Sequence, residues 1–359
     1  MSERHPALSE RLELKYWLFR ALAAIIPRLP RWLAERLAIV GGALAWATVA
    51  PLRRRAERNL AHIPALAADP ARLRQTTRHV FTHLALNYVD FFRAPHISDQ
   101  ELAQDWRIDG WDTFERAIRD GLGAVVMGAH LGPFEYASAK IGELGVPLLT
   151  PAERLRPERL FQFVSHLRDH HQARMLPGDD RETLRTIINS LRAGNMALFA
   201  VDRWVMGPSD EWPFFGEPAH LPTAPFALAA RSDAPVFLIV PWRISLREFG
   251  ATVQLITPER MPPDNAHDGA APAQRAAEER RPRDREAAIA AMRARVYPAL
   301  ERIIAAHPEQ WVGALSVIWD TAPELAHAIS AREEQTTPAA TAARPARPPA
   351  GAQTAASKN

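Results

Sequence analysis

The chain has 359 residues, 47% of them hydrophobic, with a formal charge of +3 and no cysteine. That length and apolar content fill one large domain or two small ones. The missing cysteine excludes disulfides, thiolate metal sites and a cysteine nucleophile, and fits a reducing compartment. The charge is uneven. The first sixty residues hold eleven Lys and Arg against five acids, a surplus of six that leaves minus three for the remainder. Positive charge beside apolar sequence suits an anionic membrane surface. A nucleic-acid partner is not expected, because the body of the chain has no matching motif and no basic stripe interleaved with aromatics.

In chain order, residues 12–52 are strongly apolar, carry Trp17, Trp32 and Trp46, and run directly into Arg53-Arg54-Arg55. The apolar run from Leu37 to Leu52 has 16 residues. A spanning helix needs about 20. The favoured reading is an interfacial or shallowly inserted helical hairpin bent at Pro27 and Pro30. A single span and a buried pair of core helices are the alternatives. Arg20 interrupts the first apolar run and no small-residue cleavage site follows, which argues against a cleaved signal peptide. Residues 56–93 read as helical, with Val80, Leu84, Leu86, Val89 and Phe92 on one side.

From Trp106 the texture changes. Short apolar runs at Ala124–Met127, Val146–Leu149, Met196–Val201, Pro235–Trp242 and Thr252–Ile256 read as buried strands. Helical stretches at Pro157–His170 and Glu182–Ala193 lie between them, and another follows at Ala287–Ala305. Alternating strands and helices predict an α/β domain with a mixed, largely parallel central sheet flanked by helices. Three regions follow: a basic, apolar helical segment for membrane association (1–60), the α/β domain (61–320) with a mobile polar loop at 261–286, and a disordered tail rich in Ala, Pro, Thr and Arg (321–359).

The candidate chemistry centres on Gly128-Ala129-His130-Leu131-Gly132-Pro133-Phe134-Glu135. A histidine in the loop after a strand and a carboxylate in the first turn of the next helix can meet. The carboxylate then fixes one ring nitrogen and leaves the other as a general base. The spacing alone is weak, since His5/Glu10 and His96/Glu101 share it. Only His130 follows a strand-like run with glycines in the turn. The bland alternative is a loop histidine capped by a helix-start glutamate. His166, His170 and His171 form a second cluster, but the helix reads His-Leu-Arg-Asp-His without a zincin glutamate, so no metal is expected. Phe214-Phe215-Gly216 reads either as core packing or as the wall of an acyl groove.

The stretch AVVMGAHLGPFEYA resembles the lipid A biosynthesis acyltransferase family, which includes the phosphatidylinositol mannoside acyltransferases. Further matches come in order: Arg58-Asn59-Leu60, Asp109-Gly110 through Gly123, Ala152 to Glu158, Asp202-Arg203, Pro213 to Ala219, and Gln310-Trp311. They cover about residues 15–320, and the wording leans toward the mannoside branch. The resemblance implies a membrane-associated O-acyltransferase, with His130 as general base, Glu135 as its partner, and Arg168 and Asp202 at functional positions. Arg154 and Arg203 join them as substrate-binding candidates. The sequence departs from the family at Pro133-Phe134, where Asn-Trp is common, and at Trp204, where a second acid is common.

The implied reaction needs no cofactor beyond its acyl donor, a thioester on coenzyme A or acyl carrier protein, and its acceptor is a hydroxyl of a membrane glycolipid. The expected setting is the cytoplasmic face of the inner membrane, peripheral or single-pass, as a monomer. A lipid esterase or thioesterase is the competing reading, although no Gly-x-Ser-x-Gly elbow supports it. A non-catalytic membrane-binding protein on the same fold is a third.

Overall fold

The apolar runs bounded by glycine and proline meet in one seven-stranded sheet. The computed structural model describes residues 6–98, 102, 106–169, 172–204, 207–232, 234–257 and 282–319. The sheet holds β1 (Trp106–Asp109), β2 (Ala124–Gly128), β3 (Leu148–Ala152), β4 (Ala173–Pro177), β5 (Met196–Ala200), β8 (Val236–Arg243) and β9 (Phe249–Leu255), in the order β1-β9-β8-β2-β5-β3-β4. All neighbours are parallel except β8 and β9. This is the mixed, largely parallel sheet the sequence predicts. All five residues of β2 are buried, as a strand covered on both faces must be.

Two strands at the sheet edges, β1 and β4, escape the sequence reading. β1 alternates half-buried and exposed residues, so it lacks a continuous apolar run. A separate hairpin, β6 (Ser209–Phe214) with β7 (Glu217–Pro222), escapes it for the same reason.

Helices cover both faces. On one, α9 (Arg181–Arg192), α10 (Ala224–Ser232) and α11 (Pro282–Ala306) bury Ile187, Phe226 and Val296 against Val125, Met127, Ala197 and Leu238. On the other, α6 (Trp111–Arg119) and α7 (Phe134–Gly142) bury Phe114, Ile118 and Ile141 against Ala124, Val126, Met196 and Phe237. The polar loop expected at 261–286 lies outside the described residues except at its end. Pro282–Glu286 open α11 instead, where a proline in the first helical turn loses no intrahelical hydrogen bond. The tail from 321 also lies outside.

The N-terminal region holds two helices broken near the expected prolines: α1 (Pro6–Ile25), a 3-10 turn at Ile26–Arg28, and α2 (Arg31–Thr48). After it come α3 (Ala50–Leu60), α4 (Pro64–Ala67) and the long α5 (Pro70–Arg93). Ala34 and Ala38 of α2 pack on Leu86 and Val89 of α5. Gly42 lets the two backbones touch, since a Cβ there would stand 2.7 Å from the Phe81 carbonyl oxygen. The outer faces of α1 and α2 stay exposed at Leu14, Trp17, Leu18, Trp32, Leu37, Val40 and Leu44.

A charged seam ties α5 to the sheet. Asp90 pairs with the buried Arg243 of β8. Nearby, the His83 Nδ1 is buried with no hydrogen-bond partner among the described residues. Burial first, then the Arg243 and His79 charges, push the His83 imidazole down from 6.5 to about 3. The folded state therefore holds it neutral while the unfolded chain protonates it near its ordinary value. His83 takes nothing from stability above about pH 6.5 and costs more as pH falls from there toward its folded pKa. Urea unfolding across that window should show a slope of about one proton from this residue, and His83→Gln should remove it. An unchanged slope in the variant would contradict the assignment.

Candidate active site

Adjacent parallel strands place the two key residues. β2 and β5 are in register with Gly128 opposite Ala200, and the Val201 N–H continues the ladder to the Gly128 carbonyl at 2.9 Å. His130 lies two residues beyond β2 and Asp202 two residues beyond β5, so both emerge side by side at the carboxyl edge of the sheet. This edge is where open α/β sheets bind ligands.

Asp202 is 0% exposed and its carboxylate is fully engaged. Oδ1 lies 2.9 Å from His130 Nδ1, while Oδ2 accepts from the His130 backbone N–H at 3.1 Å and from Trp311 Nε1 at 2.9 Å. Burial works to raise the Asp202 carboxyl. The His130 ring, the Trp311 N–H and the Arg203 charge overcome it and hold the group below the ordinary carboxylate range. An ionised carboxylate only accepts, so Nδ1 carries a proton, and in the neutral ring Nε2 then keeps its lone pair. The contact at Nε2 agrees with that tautomer: Arg203 Nη2, which can only donate, is 3.5 Å away. The His130 side chain is 28% exposed, so the ring is partly open to solvent beside the Arg203 contact.

The loop carrying His130 is clamped by the segment after α11. The Gly132 N–H donates to the Gln310 carbonyl at 3.2 Å, and the Gly313 N–H donates to the His130 carbonyl at 3.1 Å. The Gln310 side chain exchanges two hydrogen bonds with the Arg243 main chain, at 2.7 and 2.9 Å. From the other side, Asn59 of α3 donates to the Ala314 and Ser316 carbonyls at 2.7 and 2.8 Å. Gly132 is needed twice over. Its φ is +64°, and a Cβ would stand 2.3 Å from the Pro241 carbonyl oxygen. Gly313 is a packing requirement, since a Cβ there would meet Asp202 Oδ2 at 2.1 Å.

The structure pairs Glu135 with Arg168 and not with His130. Glu135 sits in the first turn of α7, buried, and its Oε1 accepts from Arg168 Nε at 3.0 Å and Nη2 at 2.5 Å. Arg168 ends α8 (Glu158–Arg168) and stacks over the Phe91 ring at 5.3 Å. Asp202 reaches His130 because adjacent strands in register deliver both, whereas the helix turns Glu135 toward α8. Two side-chain pairs result, His130–Asp202 and Glu135–Arg168.

The remaining candidates divide. Arg203 stands at the ring. Arg154 forms a different cluster, donating to Glu158 at 3.1 Å and to Asp179 at 3.3 Å. Phe214 is a core residue, stacked on Trp319 and edge-on to Trp311. His170 and His171 lie outside the described residues. Trp311 as the third donor on Asp202 was not read from the sequence, where Gln310-Trp311 stood only as a matching signature.

Fold and site together define a class: an α/β protein with a histidine held by a buried carboxylate at the carboxyl edge of a parallel strand pair. A family model described as "Bacterial lipid A biosynthesis acyltransferase" matches residues 3–314, and the chain belongs to that family. It is also similar to a phosphatidylinositol mannoside acyltransferase of Mycobacterium tuberculosis strain H37Rv, 31% identical over 157 residues, which is 43% of this chain and 50% of that protein. A protein of the same name from Mycolicibacterium smegmatis is 26% identical over 153 residues, 42% of this chain and 50% of that protein. The matched stretch thus spans about half the length of these curated relatives.

Trp311→Phe keeps an aromatic side chain but deletes one donor to a buried anion and leaves a void where the larger indole packed, so the hydrogen-bond loss is a lower bound. A hydrogen bond to a charged group is worth about 1.5–3 kcal/mol, and urea unfolding at neutral pH should show a loss of at least that order. Wild-type stability in the variant would mean that the bond does not hold Asp202.

Proposed function

We propose that this chain moves a fatty acyl group from an acyl thioester, on coenzyme A or acyl carrier protein, to a hydroxyl of a membrane glycolipid. The acceptor class is a mannosylated phosphatidylinositol or a lipid A precursor, and the names of the curated relatives favour the first. The observation that carries the reading is the partly exposed His130 ring, bound at Nδ1 by a buried carboxylate and with only the long 3.5 Å contact of Arg203 at Nε2.

In the reaction, the acceptor O–H gives its proton to Nε2 as its oxygen attacks the thioester carbonyl. The imidazolium that forms is stabilised by Asp202 across the Nδ1–H bond. The tetrahedral intermediate carries a negative oxygen, and Arg203 beside Nε2 supplies a positive charge there. Collapse breaks the C–S bond, and the proton on Nε2 passes to the departing thiolate. General-base help of this kind is worth about 10²–10⁴-fold in rate. Two other candidates for the oxyanion are already engaged: the Gly132 N–H with Gln310, and Arg168 with Glu135. We assign the Glu135–Arg168 pair to holding substrate rather than to the proton relay.

The setting we propose is a membrane surface, on the cytoplasmic face of the inner membrane, with the protein lying on the bilayer. Exposed apolar residues on α1 and α2, among them Trp17, Trp32, Val40 and Leu44, support this. Among the described residues no single helix is long and apolar enough to span. The one bent pair that qualifies by composition, α2 with α3, turns by 92°. Its inner faces are taken, α2 on α5 and α3 on the segment that clamps the His130 loop.

Radiolabelled palmitoyl-CoA incubated with the purified protein and a membrane lipid extract tests the reaction. Label is expected in a glycolipid, with His130→Ala and Asp202→Asn each slower by about 10²–10⁴-fold. Label found only as free fatty acid would mean hydrolysis, and full activity in Asp202→Asn would reject the proposed relay.

A further inference from the structure

The exposed apolar stripe of α2 ends in a cluster of cations. Trp46, in the last turn of that helix, has the guanidinium carbons of Arg53, Arg74 and Arg78 at 5.7, 5.6 and 6.0 Å from its ring centroid. Arg53 comes from α3, and the other two are one turn apart on α5. Arg53 Nη1 also donates to the Trp46 and Ala47 carbonyls at 2.8 and 3.2 Å, which holds it at the C-terminal end of α2. Arg74 and Arg78 are exposed.

These charges are not balanced from within the fold. Among the described residues none of the three arginines has a carboxylate partner. Asp69, the acid nearest to Arg74 along the chain, caps α5 by accepting from the Ala71 and Arg72 N–H groups. The indole N–H of Trp46 is buried with no acceptor among the described residues. Cation–π contact offsets part of the repulsion among three like charges, about 0.5–1 kcal/mol per exposed contact. An anion accepting from several guanidinium forks would offset the rest.

The surroundings say which anion. Leu44 and Val49 flank Trp46 in sequence and are exposed, 62% and 37%. An indole between exposed apolar side chains and arginines is what a membrane-water interface selects. Phosphate oxygens lie at that depth in a bilayer, within reach of side chains bordering an inserted apolar face.

We propose that Arg53, Arg74 and Arg78, gathered around Trp46, bind the phosphate of an anionic phospholipid headgroup when the α1–α2 surface rests on the bilayer. This rests on the peripheral-membrane reading above and names a discrete site within it. The site has a mechanical link to the chemistry. Six residues of α3, roughly 9 Å of helix, separate Arg53 from Asn59, whose side chain holds the segment bonded to the His130 loop. A headgroup fixed at Arg53 sets the height of the catalytic edge above the lipid surface.

Co-sedimentation of the full chain with vesicles tests it, using phosphatidylcholine alone and phosphatidylcholine mixed with phosphatidylglycerol. The wild type is expected to bind the mixed vesicles more tightly. The triple variant Arg53→Gln, Arg74→Gln, Arg78→Gln should lose about fivefold per arginine, on the order of a hundredfold in all at low salt, on mixed vesicles only. A control with Arg116→Gln, Arg185→Gln and Arg231→Gln removes the same charge from exposed arginines of α6, α9 and α10 and should keep most of the binding. Equal binding by the triple variant and wild type on mixed vesicles would overturn the site while leaving the peripheral reading intact. So would a control that loses as much as the triple variant. A wild type that pellets with neither vesicle would overturn both.

Discussion

A carboxylate with no access to water has to be satisfied by donors from the protein, and at Asp202 that requirement organises the site. An isolated buried anion would cost many kcal/mol, so the fold must bring donors to both oxygens. It brings three: the His130 ring, the His130 backbone and the Trp311 indole. The same contacts that make the anion tolerable fix the imidazole in one orientation and one tautomer. Structural need and chemical readiness are met by one set of hydrogen bonds.

The rest of the molecule can be traced outward from that carboxylate. Trp311 is placed by a segment that Gln310 ties to β8 and Asn59 ties to α3. Arg243, whose backbone receives Gln310, pairs through its side chain with Asp90 of α5. α5 in turn carries α2 on the close contact that Gly42 allows. The N-terminal helices are therefore joined to the histidine through a continuous series of polar and packing contacts. The proposed reaction, with its acceptor in a bilayer and its donor from water, calls for a reactive edge held at a fixed position relative to the exposed apolar face of α1 and α2.

Much of this was readable in the sequence, and the omissions have definite causes. Runs such as Ala124–Met127 and Pro235–Trp242 announce strands because both faces of their sheet are covered. The edge strands β1 and β4 do not, because a half-exposed strand carries charge and alternation in place of an apolar run. His130 was legible from the glycines and the strand before it. The ring's hydrogen-bond partner was not legible, because His-x4-Glu suggests a local pair, while the residue bonded to the ring is 72 positions away and depends on which strand lies beside β2. One clue was present: Asp202 follows its apolar run at the same offset as His130 follows its own. Turning that clue into a contact requires the strand order, which local pattern does not contain. Trp311 is a further case, since a buried indole in a C-terminal segment looks like core packing until the acid it serves has been located.

The central claim is that Asp202, not Glu135, holds the His130 ring with Nδ1 protonated and Nε2 free. Nitrogen-15 NMR of the imidazole, with the His130 signals assigned by their loss in His130→Gln, reads this directly. At a pH where the ring is neutral, the account predicts a protonated Nδ1 and an unprotonated Nε2 in the wild type and in Glu135→Gln, with the pattern disturbed in Asp202→Asn. A ring protonated at Nε2, or one that responds to Glu135→Gln and ignores Asp202→Asn, would contradict it.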